Sequence, residues 1–511
     1  MENSSTGVAF SSAAGRWLLA VTIAGSGMAF LDATVVNVAL PKIGEDLNAS
    51  TSALQWILNG YLLTLASLIL LGGSLGDRLG RRRVFQAGVA LFTFASLLCA
   101  VAPTVELLIF ARLIQGVGGA LLTPGSLAII EASFRPADRA RAIGAWSGLG
   151  GVASALGPLL GGWLIGAISW RAIFLINLPL GAFVIWGAAR HVPESRDPTA
   201  TGKLDTSGAA LAAIGLGGTT YALIEAPEGG RLGAVVVTAV VGVLALIAFF
   251  WQEHRSANPM LPLSIFRSRQ FSAANAVTFV VYAALGVYFF LLVGFLQISM
   301  GYSPIEAGSS TLPVTALMLV GSPRAGALAE KIGPRIPLTL GPLIIAVGLL
   351  LMLRINPGDS YVSSVLPAVF VFGVGLVLVV APVTATVMAA VDPDNSGIAS
   401  GVNNAVARVA GLLAVAVIPV AAGITGDKFY EPSHMTSGFH MGMAICAGLA
   451  VIGAVVAWTT ISSDVLHGEA EAEGAADGAC HDYTCPIGAP PLRPAGESQG
   501  FGRASLPAPP G

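Results

Sequence analysis

Long apolar runs separated by short polar loops dominate this 511-residue chain. A membrane-spanning helix needs about 20 mostly apolar residues. Runs that meet this length occupy 17–39, 53–74, 84–102, 107–130, 142–166, 171–189, 206–224, 232–251, 271–297, 307–328, 336–354, 361–390, 398–422 and 439–461. The pattern predicts an all-α membrane protein with fourteen transmembrane helices. Many of these runs contain Gly and Pro, which lipid-embedded helices tolerate better than soluble ones. From Ser462 to Gly511 the apolar periodicity stops. That tail is rich in Ala, Gly, Pro and Glu, a composition that cannot bury a core and reads as disordered. The polar segment Met1–Gly15 lacks a charged region followed by a cleavage site, so the first run reads as a span and not as a removed signal.

The polar breaks carry the next layer of information. Gly73-Ser74-Leu75-Gly76-Asp77-Arg78-Leu79-Gly80-Arg81-Arg82-Arg83 is a compact basic loop between the second and third runs. A weaker copy, Gly326-Ala327-Leu328-Ala329-Glu330-Lys331-Ile332-Gly333-Pro334-Arg335, follows the tenth run. One loop used twice indicates a duplicated membrane protein. With the N-terminus inside, only Lys42, Arg171, Arg231, Arg354 and Lys428 of the 26 Lys and Arg residues fall in outer loops. Arg112 and Arg408 lie within spans, and every other basic residue falls inside. This asymmetry places both termini in the cytoplasm by the positive-inside rule.

Composition excludes several classes of function. Hydrophobic residues make up 54% and charged residues only 11%, against about 25% charged in soluble domains. No basic domain exists to hold nucleic acid, and no Gly-x4-Gly-Lys-Ser/Thr loop exists to cradle ATP. The six histidines form no His-x3-His pair with a carboxylate, so neither an enzyme nor a cofactor or metal site is expected. Cys99 and Cys446 sit in apolar runs, and no disulfide framework follows. Cys480 and Cys485, with His481 between them, read as reduced thiols in an unstructured tail in preference to a metal site.

Several fragments carry a family resemblance. The Gly73–Arg82 loop resembles the loop between the second and third helices of the major facilitator superfamily. Leu31-Asp32-Ala33-Thr34-Val35-Val36-Asn37-Val38-Ala39-Leu40-Pro41 closely resembles the first-helix motif of that superfamily's fourteen-span drug/proton antiporters, the QacA-like and EmrB-like exporters. Arg112-Leu113-Ile114-Gln115-Gly116-Val117-Gly118-Gly119 resembles their fourth-helix motif, and Gly157-Pro158-Leu159-Leu160-Gly161-Gly162 their fifth. Trp170-Arg171 with Phe174, Asn177 and Pro179 also fits, as does Gly301-Tyr302-Ser303-Pro304. The chain departs from the pattern at Ala153, where the family has Gly. The resemblance covers 17–461. It implies a major facilitator fold, with two six-helix bundles and the seventh and eighth spans inserted between them. The expected parts are an N-terminal tail (1–16), a first bundle (17–189), the insertion with its flanking loops (190–270), a second bundle (271–461) and the tail (462–511).

Within that frame Asp32 is the one acid deep in a span. Low dielectric disfavours a charged carboxylate, which suits a site that takes a proton from one side and gives it to the other. The alternative is a carboxylate permanently paired to a helix partner. Arg112 is its natural counter-charge, or else a strut that bonds backbone or reaches outward. Gln115 shares a face with Arg112. Candidates for a substrate cavity are Asn37, Asn59, Gln115, Trp146, Gln297 and Asn404, with Tyr61, Tyr282 and Phe289 beside them; Asn403 and Arg408 read first as helix-packing groups. Candidates for a conformational gate are Gly73, Asp77, Arg78, Gly80, Arg81 and Arg82, with Glu131 as a partner, and the bent fifth helix at Gly157, Pro158, Gly161 and Gly162. The expected function is proton-coupled export of small hydrophobic or amphipathic compounds across the cell membrane, with protons, a small molecule and the bilayer as partners and no ATP. A facilitator or importer of a polar metabolite and a non-transporting membrane sensor are the alternatives.

Overall fold

The computed structural model describes residues 7–197, 204–256, 259–392 and 396–466. The tail bearing Cys480 and Cys485 lies outside them. The first half comprises α1 (Ala13–Leu47), α2 (Thr51–Leu79), α3 (Arg81–Val101), α4 (Val105–Ser133), α5 (Pro136–Ala167), the one-turn α6 (Ala172–Leu175) and α7 (Asn177–His191). Helices α8 (Thr206–Glu225) and α9 (Leu232–Arg255) follow. The second half holds α10 (Arg269–Ile298), α11 (Pro304–Ser309), α12 (Leu312–Ile332), α13 (Arg335–Met352), α14 (Leu366–Ala389), α15 (Ser396–Ala421) and α16 (Pro432–Thr460). Taking α6 with α7 and α11 with α12 as single spans, fourteen helical segments are long and apolar enough to cross a membrane, as the sequence predicts. Helix α1 at 35 residues is about 52 Å long, well beyond a ~30 Å hydrocarbon core, so it extends past the bilayer or tilts within it. On α9, Val236, Val237, Val240, Leu244 and Ile247 stand exposed, a lipid-facing surface in a membrane protein.

The duplication inferred from two loops extends through the packing. In the first half α2 and α3 pack on α4, α1 on α5, and α1 and α3 on α7. In the second half the same relations recur: α12 and α13 pack on α14, α10 on α15, and α10 and α13 on α16. The two loop glycines repeat as well. Gly80 ends α2 at φ 115° and Gly333 ends α12 at φ 80°, a backbone region where a side chain is strained. Each is covered by the segment leaving its half. Glu194 lies over Gly80, and the Ser463 backbone lies over Gly333.

The two halves are joined toward the face opposite these basic loops. There Thr51 Oγ1 donates to the Gly426 carbonyl (2.6 Å), Gln55 Nε2 to that of Val415 (2.8 Å), Gln297 Nε2 to that of Val38 (3.0 Å) and Tyr430 OH to that of Ala49 (2.7 Å). Proline explains two of the acceptors used in this core. Pro419 has no N–H for the Val415 carbonyl, and Gln55 supplies the missing donor. Pro158 likewise frees the Ser154 carbonyl, which accepts from Thr34 Oγ1 at 3.1 Å. Leu63, Leu216 and Leu412 form a small core that binds α8 to both halves. Glu225 accepts from Trp56 of the first half and Glu228 from the Gly426 N–H of the second. Toward the basic face α5 stands clear: Gly144 and Gly148 have nothing within 4 Å of where a Cβ would lie, and Leu149 is 50% exposed.

Candidate functional site

Helices α1, α2, α3, α4 and α7 bring together the polar groups that an apolar half cannot leave unpaired. Thr64 Oγ1 donates to the Leu113 carbonyl at 2.8 Å and holds α2 against α4. That contact sets Arg112 beside the α2 backbone, where its Nε donates to the Ile57 carbonyl at 3.0 Å. Its Nη1 donates to Asp32 Oδ2 and, at 2.6 Å, to Gln115 Oε1. Gln115 Nε2 donates to Asp32 Oδ1 (2.8 Å) and to Ser96 Oγ (2.8 Å), and Asn177 Nδ2 reaches the same Ser96 hydroxyl at 3.1 Å. The Arg112 guanidinium lies 4.4 Å from the centre of the Tyr61 ring. Asp32 and Arg112 are each 1% exposed.

The geometry makes a closed circuit. Both carboxylate oxygens of Asp32 are engaged, and the charge of Arg112 matches that of the acid, so the buried cluster is neutral overall. Burying two charges is costly and is tolerated only when pairing and hydrogen bonding are complete. The Asp32–Arg112 pairing expected from sequence is assembled, and Gln115, read from sequence as a cavity residue, joins it instead. Ser96 was not singled out, and Asn177 and Cys99, whose Sγ lies 3.7 Å from Gln115 Oε1, were named without being placed in this cluster. The signal that marks Ser96 and Asn177 is a polar residue within an apolar run.

The candidate cavity residues separate. Asn404 lines a cavity of about 220 Å³ between the halves, together with Phe30, Tyr282, Thr384, Val387, Met388, Ser400, Asn403, Ala407 and Arg408. This lies below the roughly 300–1,000 Å³ usual for drug-sized sites, so in this state the cavity seats part of such a molecule. Gln115 belongs to the Asp32 circuit. Trp146 donates from Nε1 to Ser26 Oγ at 3.0 Å and sits beside Phe30. Asn37 Nδ2 returns to the Ala33 carbonyl of its own helix, and Gln297 is a tie between halves. Asn59 is fully buried, with neither amide atom partnered among the described residues. Asn403 does pack helices, donating to Asn275 Oδ1 (3.1 Å) and Thr278 Oγ1 (2.9 Å).

The gate candidates are also placed. Asp77 Oδ1 accepts from Arg81 Nη2 at 2.8 Å, and Arg81 Nη1 reaches the Ala128 carbonyl of α4 at 3.3 Å. Glu131 makes no ion pair among the described residues; the acid that meets Arg82 and Arg83 is Glu194, which is not among the gate candidates. Its Oε1 accepts from the Arg82 N–H at 3.0 Å, and its Oε2 lies 3.7 Å from Arg82 Nε and 3.6 Å from Arg83 Nε. Backbone bonds from Arg81 N to Ser195 O and from Asp197 N to Asp77 O zip the loop to the segment after α7. These contacts hold the loop within the first half. Arg78 instead borders a hollow shared with Ser74, Asp205 and Met260. Gly73 faces Pro124 of α4. On α5, Gly157 and Gly161 lie against Thr34 and Val35 of α1, whereas Pro158 and Gly162 face Gly308 and Ile305 of the second half. The fifth helix therefore packs on two sides at once. Glu330, the counterpart of Asp77, is exposed and without an ion pair among the described residues. Asp77→Asn is expected to lower transport several-fold more than Glu330→Gln at equal surface expression, measured as uptake into everted vesicles; the reverse order would remove any gating role for the first loop.

Comparisons with known proteins agree with this architecture. The family model described as Major Facilitator Superfamily matches residues 22–415. The multidrug resistance protein Stp of Mycobacterium tuberculosis (strain CDC 1551 / Oshkosh) is 36% identical over 408 residues, covering 78% of this chain and 75% of that protein. The tetracenomycin C resistance and export protein of Streptomyces glaucescens is 35% identical, covering 81% and 77%. The puromycin resistance protein pur8 of Streptomyces alboniger is 34% identical, covering 88% and 91%. Among solved structures, a bacterial homolog of the human lysosomal transporter Spinster, inward-facing and unoccupied, superposes with a TM-score of 0.60 at 19% identity, covering 90% of this chain and 99% of that one. A peptide transporter in complex with sulfate gives 0.64 at 16% identity, covering 92% and 98%. With fourteen apolar helices, two halves built on one packing scheme, and a family model that spans most of both, this chain belongs to the Major Facilitator Superfamily.

Proposed function

We propose that this protein is a proton-coupled exporter of small hydrophobic or amphipathic compounds, working by alternating access in the cell membrane. The observation that carries it is the buried Asp32, closed on Arg112 and Gln115 one helical turn or less from Phe30, which lines the cavity between the halves. The names of the relatives, which concern resistance and export, point to the same class of cargo. With the basic face toward the cytoplasm, both termini are cytoplasmic and this state is closed outward. The parts that go with it are a tail (1–16), a first bundle (17–189), the two inserted helices with their loops (190–270), a second bundle (271–461) and a C-terminal tail (462–511).

The residues suggest how coupling works. A proton delivered to an Asp32 oxygen cancels the charge that holds Arg112 and Gln115, so the guanidinium is left to find another acceptor. That change in pairing at α1 and α4 biases how α1 and α5 sit against the second half. Cargo and proton then compete for one conformational cycle, and no nucleotide is required. Expression in a pump-deficient cell, challenged with a panel of amphipathic antibiotics and dyes, tests this. Protection against a subset of at least about fourfold is expected, and a protonophore should abolish efflux of the same compounds. No protection, or efflux that persists after the proton gradient collapses, would overturn it.

A further inference from the structure

Arg408 is the eleventh residue after Gly397 in the middle of α15, deep in a span, and it lines the cavity between the halves. Among the described residues it has no ion pair, no hydrogen bond and no ring contact. The other intramembrane arginine, Arg112, spends its donors on Asp32, Gln115 and a carbonyl. A charge within a span is retained where it serves a partner or a cavity. Arg408 has a cavity and no partner among the described residues, so its five N–H donors remain available. Asp32 does not supply the missing acceptor: its carboxylate is turned to Arg112 and Gln115.

The surroundings fit a specific ligand chemistry. Asn404 is one turn from Arg408 on the same face, exposed to the cavity, and Tyr282 brings a phenol from α10. Phe30, Val387 and Met388 supply apolar wall. We infer that this cavity binds amphipathic organic anions, with Arg408 taking the carboxylate or other acidic head and Phe30, Val387 and Met388 taking the apolar body. Guanidinium binds a carboxylate through two parallel N–H···O bonds, which fixes orientation as well as charge. The inference rests on the exporter assignment and narrows its cargo. A cationic compound meets repulsion at this end of the cavity, and a neutral one leaves Arg408 without its acceptor.

The test is equilibrium binding of a naphthalene acetate and of its methyl ester to the full-length protein in nanodiscs, with empty nanodiscs subtracted. Wild type is expected to bind the acid at least about tenfold more tightly than the ester. Arg408→Gln should bring that ratio close to one while leaving ester binding in place, and Arg408→Lys should restore part of it. Equal thermal melting of the three proteins establishes that folding is not the cause. A ratio unchanged in Arg408→Gln, or a wild type that prefers the ester, overturns the inference. Proton-driven transport of the antibiotic panel separates the two claims. If wild type moves nothing but its acid preference depends on Arg408, the exporter assignment fails and the anion site stands. If proton-driven transport persists but the acid-to-ester ratio is indifferent to Arg408→Gln, the site fails and the exporter stands.

Discussion

Asp32→Asn is expected to remove proton-driven transport and to destabilise the protein at the same time. The substitution keeps the shape of the side chain but leaves the buried Arg112 guanidinium without its counter-charge. Breaking a buried ion pair from one side costs about 3–5 kcal/mol, because the remaining charge is uncompensated. The double variant Asp32→Asn with Arg112→Leu removes that orphaned charge and should recover much of the lost stability. It should not recover coupled transport, since the proton-accepting group is still gone. Thermal melts and proton-driven uptake in proteoliposomes read the two quantities separately. Coupled transport at wild-type level in folded Asp32→Asn would refute the assignment of Asp32 as proton carrier. Recovery of both stability and transport in the double variant would show that the pair is only a structural strut.

Gly308→Val is expected to force the halves apart at the face opposite the basic loops. A Cβ there would lie 2.2 Å from the Pro158 carbonyl oxygen, and one at Gly162 would lie 2.5 Å from the Ile305 Cα. Both obstacles are backbone, which cannot turn away as a long side chain can. Overpacking of this kind costs about 1–3 kcal/mol. Because the strain falls on contacts between halves, it disfavours this state more than the fold, shifting the balance by roughly 5–150-fold. A Thr51→Cys reporter, buried in this state, should then react with an impermeant thiol reagent several-fold faster, and transport should fall. Gly144→Val is the control, since nothing lies within 4 Å of its Cβ. Unchanged labelling together with normal transport in Gly308→Val would mean that the α5–α11 contact is not part of the cycle.

The parts of this fold that were legible in the sequence are those set by the bilayer and by duplication. Spans must be apolar over about 20 residues, so their number follows from counting, and the doubled loop at Gly80 and Gly333 marks two related halves. Asp32 and Arg112 were legible as a pair for a related reason, whereas Gln115 was read as a cavity residue. In an apolar half the few polar side chains have only each other and the backbone as partners. The same rule could not rank Asn59, Gln297 and Trp146, because an amide or indole inside a span is equally able to line a cavity, tie two halves or bond its own helix. Glu194 was missed because its partners, Arg82 and Arg83, lie more than a hundred residues earlier.

The sequence by itself determined that this is a fourteen-span membrane protein of two similar halves, with a buried acid facing a buried base. Hydrophobic length and residue type suffice for that, since both act locally. Tertiary structure alone decided that Gln55 and Thr34 serve carbonyls freed by Pro419 and Pro158 on other helices. It decided which way the fifth helix turns its glycines, that the basic loop is tied to the segment after α7, and that Arg408 stands over the cavity without a partner among the described residues. Each of these depends on how helices distant in sequence are rotated and seated against one another. Apolar faces nearly all round a lipid-embedded helix leave that rotation unmarked in its pattern.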